Sequence, residues 1–144
     1  MPYKNIVISP SKYVSQNTAK SSQFYKGFST LDDTKTSVKI YDFDLIKQDL
    51  INQLNTRKGE RVMNPTFGTI IWDLLFEPLT PEVKQQISDD LNRILNYDPR
   101  ATPTQINIVQ ADNGFLIELT LLMNGTDQTQ SMKIAFDKSV GMVA

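Results

Sequence analysis

Five consecutive residues, Arg57-Lys58-Gly59-Glu60-Arg61, place three cations and one carboxylate within a single loop-length of chain. Such a cluster could hold a phosphate, serve acid–base chemistry or grip a partner's carboxylates. A phosphate cradle needs several glycines so that successive N–H groups converge on one anion; this cluster has one glycine and lacks a Gly-Lys-Ser/Thr ending. Acid–base options are narrow as well. The chain contains no histidine and no cysteine, which removes thiol catalysis, disulfides, the usual zinc sites and any triad built on a histidine base. Carboxylate, Lys, Tyr or Ser chemistry remains, or a hard metal on oxygen ligands.

Glycoside hydrolysis needs only two carboxylates at a defined separation, and Glu60, Asp73, Glu77 and Asp98 are the candidates. A chain with 16 acids offers such pairs anywhere, however, and its one tryptophan, Trp72, sits in an apolar block that reads as core rather than as a sugar platform. Asp32-Asp33 and Asp89-Asp90 are adjacent pairs outside calcium-loop spacing, and neighbouring acids on a helix diverge. No metal or cofactor is expected. Docking on a partner is the reading that asks least of these residue types.

The cluster needs a scaffold. Upstream, Val38 and Ile40 alternate with polar residues, suggesting a short strand, and Asp42 or Asp44 could cap a helix carrying Phe43, Ile46, Leu50, Ile51 and Leu54 on one face and ending near Asn55. Downstream, Pro65 keeps Asn64 out of helical angles and Gly68 permits a tight passage into a short helix over 69–76, whose apolar residues should be buried on more than one side. Thr80-Pro81-Glu82 is a helix start, with Thr as N-cap and Pro in the first turn. Val83, Ile87, Leu91, Ile94 and Leu95 mark the buried face of that helix, Asp89, Asp90 and Arg93 are read as solvated, and Asp98-Pro99 ends it.

From Gln105 the apolar period becomes two. Ile106 and Ile108, then Phe115, Ile117, Leu119, Leu121 and Met123, then Met132, Ile134 and Phe136 make three alternating runs, separated by turns at Asn113-Gly114 and at 124–127. The expected fold is α+β: about three helices packed on a three-stranded antiparallel β-meander, one face buried, the third strand leaving an open edge. Residues 37–144 form this domain. Residues 1–36 are read as an extended N-terminal interaction arm, since 1–31 hold four lysines, no acid and five aromatics (Tyr3, Tyr13, Phe24, Tyr25 and Phe28).

The chain has 144 residues, a formal net charge of −1 and 40% hydrophobic content, which suits one globular domain. That charge gives no global field for nucleic acid or membrane, and no apolar run approaches the roughly 20 residues that span a bilayer. The first residues lack the pattern of a secretory signal, so assembly in a cytoplasm is expected.

Three ordered motifs, TRKGERVMNPTFG (56–68), WDLLFEPLTPE (72–82) and NYDPR (96–100), followed by the meander, resemble the baseplate wedge and sheath-initiator family of contractile-tailed phages, with relatives in type VI secretion baseplates. The likeness covers roughly residues 40–137 and is carried by three spaced patterns rather than one. Gly59, Glu60, Arg61, Pro65, Phe67 and Gly68 match the family's loop; Leu75, Phe76 and Glu77 match its Leu-Phe-Glu block. Asp98, Pro99 and Arg100 match its Glu-Pro-Arg tripeptide, with a carboxylate one methylene shorter.

The resemblance implies a structural, non-enzymatic virion protein of the tail baseplate, present in several copies in a symmetric assembly. Its implied partners are other baseplate wedge proteins and the tail sheath protein, with the tail tube alongside, and neither nucleic acid nor membrane. The expected interface is the loop cluster Arg57, Lys58, Gly59, Glu60, Arg61, Pro65, Phe67 and Gly68 together with Asp98, Pro99 and Arg100 as one rigid polar corner. The open sheet edge would then pair with sheath strands to start sheath assembly. A lysozyme activity is attributed within this family, so the alternative is a particle-associated peptidoglycan glycosidase using paired carboxylates.

Overall fold

The computed structural model describes residues 24–29 and 39–144. A two-stranded ribbon, β1 (Lys26–Phe28) and β2 (Lys39–Tyr41), precedes helices α1 (Asp42–Asn55), α2 (Ile71–Leu74) and α3 (Pro81–Tyr97). A four-stranded antiparallel sheet follows in the spatial order β3 (Ala101–Ala111), β4 (Gly114–Met123), β5 (Gln128–Asp137), β6 (Gly141–Val143). The α+β expectation holds. The apolar stripes of the helices and one face of the sheet form a single core, with Leu54, Ile71, Ile87, Leu91, Ile117, Leu119 and Ile134 fully enclosed.

α1 buries the expected Ile46, Leu50, Ile51 and Leu54, but its start differs from the reading. Neither acid caps it. Asp42 adopts φ +47, and its carboxylate accepts from the backbone N–H of Phe24 (2.8 Å) and of Tyr25 (2.9 Å). Its own N–H donates to the Tyr25 carbonyl at 3.0 Å. Aspartate tolerates the left-handed region better than most residues, and here its side chain serves the ribbon instead of the helix. Within the expected arm, 24–29 contributes β1, in which Gly27 lies so close to Leu45 that a Cβ would stand 2.4 Å from its Cδ1. The remainder of that arm, 1–23 and 30–36, lies outside the described residues.

The second helix is shorter than the 69–76 expected. Pro78 disfavours helical angles at Glu77, the helical turn stops at Leu74, and Phe76 is 67% exposed rather than buried. Trp72 does belong to the core region: its indole N–H donates to the Leu54 carbonyl (2.8 Å) and its ring meets Phe136 edge-on at 5.3 Å between centroids. Thr80 caps α3 as read, its hydroxyl accepting from Val83 N–H at 3.3 Å.

The sheet is longer and wider than the meander foreseen. β3 begins at Ala101, ahead of Gln105, with a bulge between Pro103 and Gln105. The first hairpin turns on Asp112-Asn113, not Asn113-Gly114. Gly114 is the first residue of β4, and a Cβ there would fall 1.8 Å from the Phe136 carbonyl oxygen. The second turn is as expected, with Gly125 at φ +103 and Asp127 at φ +52. The unforeseen β6 pairs with Ala135–Asp137 and so covers that end of β5. Among the described residues, the outer side of β3 and the Gln128–Ile134 stretch of β5 remain as open edges.

Candidate docking cleft

The charged cluster lies in a loop pinched shut at its base. Lys58 N–H donates to the Thr69 carbonyl (3.1 Å) and Thr69 N–H to the Thr56 carbonyl (2.9 Å), so the chain enters and leaves side by side. Inside the pinch the backbone makes three turns, closed by Glu60 N–H to Arg57 O (3.1 Å), Asn64 N–H to Arg61 O (3.2 Å) and Phe67 N–H to Asn64 O (3.1 Å). Gly59, at φ +89, supplies the conformation the first turn needs, and its N–H ties that turn to the third through the Pro65 carbonyl (2.9 Å). Glu60 turns its carboxylate back onto Arg57 N–H (2.9 Å). Gly68 is buried at φ +103, where a Cβ would lie 2.5 Å from the Thr56 carbonyl oxygen.

Helix α3 holds this loop from behind, contrary to the solvated reading of Asp90. Asp90 is only 6% exposed. Its carboxylate accepts from the Thr69 hydroxyl (2.7 Å), from Ile70 N–H (3.0 Å) and from Arg93 (2.7 and 3.1 Å). Arg93 in turn donates to the carbonyls of Thr66 (3.0 Å) and Gly68 (2.7 Å). Desolvating a charged aspartate and so much loop backbone is tolerable because every group finds a partner. Asp89, one residue away, accepts instead from Gln85 on the helix surface (2.8 Å), so the two adjacent acids do not share a site.

Just beyond the C-terminal end of α3 stands the Asp98-Pro99-Arg100 corner. Arg100 grips Asp98 through Nε (2.9 and 3.1 Å) and a terminal nitrogen (2.6 Å), and the same nitrogen reaches Asp49 of α1 (2.6 Å). Asn124, in the β4–β5 turn, donates to the carbonyls of Pro99 (side chain, 2.7 Å) and Arg100 (backbone, 2.9 Å). The tripeptide is therefore tied to α1 and to the sheet at once. Partial burial disfavours the charge on Asp98, but hydrogen bonds from the Arg100 side chain and backbone, with its positive charge, outweigh this and hold the carboxyl below the usual range. Arg100 is held correspondingly more firmly in its protonated form, chiefly by the Asp98 hydrogen bonds.

Loop and corner face one cleft of about 450 Å³, to which Arg61 and Phe67 contribute from the loop and Asp98, Pro99 and Arg100 from the corner, with Asp49 and Tyr97 beside them. Arg61 lies over the Phe67 ring, 3.9 Å from its centroid, a cation–π contact that gives the cleft a flat, charged wall. Tyr97 is 78% exposed at the rim. The other expected interface residues stand apart from the cleft: Arg57, Lys58, Glu60 and Pro65 are exposed around the loop, with Gly59, and Gly68 is buried beneath it. Among the described residues no ion pair joins the loop cations to the corner.

Sequence reading missed Asp49, Asp90, Arg93 and Tyr97. Asp90 and Arg93 had a local signal, an i,i+3 pair of opposite charge beside the buried Leu91. Asp49 had none, because its partner Arg100 lies 51 residues away.

The chain is similar to several known proteins. The pattern of the family described as baseplate wedge protein gp25 matches residues 42–128. Baseplate wedge protein gp25 of Enterobacteria phage T4 is 28% identical over 98 residues, covering 65% of this chain and 74% of that protein. Baseplate protein W of Escherichia phage P2 is 28% identical over 97 residues, covering 66% and 84% respectively. A solved structure from Geobacter sulfurreducens, provisionally named a tail lysozyme, superposes with a TM-score of 0.53 at 22% identity over 64% of this chain and 90% of that one, a likeness of fold. With the family pattern spanning more than half of its length, the chain belongs to the baseplate wedge protein gp25 family.

Proposed function

We propose that the chain is a non-enzymatic wedge subunit of a contractile phage tail baseplate, docking on other wedge proteins through the cleft between loop and corner. The observation that carries this reading is the convergence of two motifs, 57–68 and 98–100, on one cleft whose walls are fixed in advance. Arg100 spends its guanidinium on Asp98 and Asp49, so its role is to set the shape of the corner. Arg61, Phe67, Pro99 and Tyr97 are the groups left to meet a partner. A preset surface binds without the cost of ordering loops at the moment of contact.

The sheet supports a further role in sheath initiation. The edges of β3 and of β5 over 128–134, open among the described residues, offer backbone groups to strands of a sheath subunit. Pro103 and the neighbouring bulge blunt one end of the β3 edge, which limits uncontrolled pairing. An enzymatic role draws no support from Asp98 or Glu60. A general acid needs a raised pKa, whereas Asp98 is lowered, and Glu60 is engaged with backbone.

Arg100→Ala is the test. The variant should fold, because partly exposed ion pairs contribute about 1 kcal/mol or less each, yet should be missing from purified tails. Tails that carry it at the wild-type level would refute the docking role. Turnover of peptidoglycan by purified protein, abolished in Glu60→Gln or Asp98→Asn, would replace this reading with a glycosidase.

A further inference from the structure

The most exposed large apolar side chains of the described residues are neighbours. Val62 is 93% and Met63 97% exposed. They are the two central residues of the middle turn of the loop, the one closed by Asn64 N–H to Arg61 O. Central turn positions favour Gly, Pro, Asn, Asp or Ser, each for a conformational or hydrogen-bonding reason that valine and methionine lack. Scattered single apolar residues on a surface need no explanation, but two together at the tip of a turn do. Neither packs on the loop's own aromatic, since Phe67 is already covered by Arg61.

We propose that Val62 and Met63 are the anchoring tip of this loop, inserted into an apolar socket with an acidic rim on another subunit of the baseplate. The proposal rests on the docking reading above and adds the contact and the chemistry of its partner. Charge complementarity sets the rim: Arg57, Lys58 and Arg61 are exposed behind the tip, against a single acid, Glu60, whose carboxylate is turned onto Arg57 N–H. The acidic groups that such a row of cations prefers must come from the partner. Preorganisation sets the anchoring role. Three closed turns, the Gly59–Pro65 bond and the grip of Asp90 and Arg93 hold the loop, so the ordering cost of burying its tip is already met. Methionine, unbranched and polarisable, can fill an irregular socket. A protein socket is favoured over an anionic lipid surface because the tip carries no aromatic residue and the chain as a whole is at net charge −1.

The absence of cysteine permits a direct test on whole tails. Tails assembled with Met63→Cys are treated with a maleimide, and labelling of this chain is compared with that of the same variant in isolation. The expected result is labelling slower by about tenfold or more in tails, together with loss from tails of the variant Val62→Asp/Met63→Asp at an unchanged melting temperature, as for removal of a buried interface anchor. Equal labelling in tails and in solution, or normal incorporation of the double variant, overturns the tip assignment and leaves the docking cleft standing. Absence of the wild-type chain from purified tails overturns both. Binding to phosphatidylglycerol vesicles that the double variant loses, with its tails intact, assigns the tip to a membrane instead.

Discussion

Asp90→Ala isolates the contribution of the buried carboxylate behind the loop. The substitution removes the acceptor of the Thr69 hydroxyl and of Ile70 N–H, and leaves Arg93 without its ion pair. Thr69 is 0% exposed, so its hydroxyl becomes a buried donor without that acceptor. Stranding a buried group costs about 1–3 kcal/mol, and two are affected, although Thr69 keeps its acceptor role toward Ile71 N–H. The Arg93 pair adds little, since that side chain is 38% exposed and solvent screens it. The total is about 3 kcal/mol, which for a chain of this size lowers the melting temperature by roughly 10 °C. Urea unfolding should show a lower midpoint at an unchanged slope, because the surface exposed on unfolding stays the same. Arg93→Ala removes the donor to the Thr66 and Gly68 carbonyls and the cation beside the buried Asp90 carboxylate, so it should lower the midpoint as well. A melting temperature for Asp90→Ala within about 2 °C of wild type, a loss well under 1 kcal/mol, would refute the claim that α3 holds the loop in place.

Two further perturbations separate local causes. Gly68→Ala meets both a positive φ and a carbonyl at 2.5 Å and should cost about 3 kcal/mol or more, while Gly59→Ala, with a similar φ but open space around it, should cost only about 1–2 kcal/mol; equal urea midpoints would contradict the steric argument. Asp137 accepts from the hydroxyl and N–H of Ser139 and from Val140 N–H, which depresses its carboxyl to about 2. A depressed carboxylate stabilises the fold above its unfolded pKa of about 3.9, and that contribution fades as pH falls toward 2. Asp137→Asn should therefore flatten stability against pH between about 4 and 2; an acid limb of unaltered slope would show that the turn is not the source.

Elements with sustained periodicity were legible. The stripes of α1 and α3 and the alternation of β4 each repeat four or five times, and that of β5 three times, so propensity and burial point the same way. What escaped was short or non-local. β6 has three residues, too few for alternation to be read, and β1 is packed through a glycine rather than an apolar side chain. Gly114 lies in a strand because the Phe136 carbonyl passes where its side chain would be, a constraint set by a neighbour 22 positions away. In the cleft, the loop and the corner were visible as motifs, but their separate braces, Asp90 behind the loop and Asp49 beside the corner, were not. A charged residue on a helix reads as solvated until the element it faces is known.

The Asp42 clamp has a mechanical consequence. Its three hydrogen bonds fasten Phe24 and Tyr25 to the first residue of α1, bypassing the chain between the two strands. β1 and β2 run antiparallel, with Lys26 opposite Tyr41, so the upstream end of β1 and the downstream end of β2 lie together. Tension drawn through the chain ahead of Phe24 thus arrives at the root of α1, and it loads the bonds there one after another, as in a zip, rather than all at once in shear. Under such a load the ribbon would open from this end first, at the Asp42 bonds, before the helices and sheet behind it are strained.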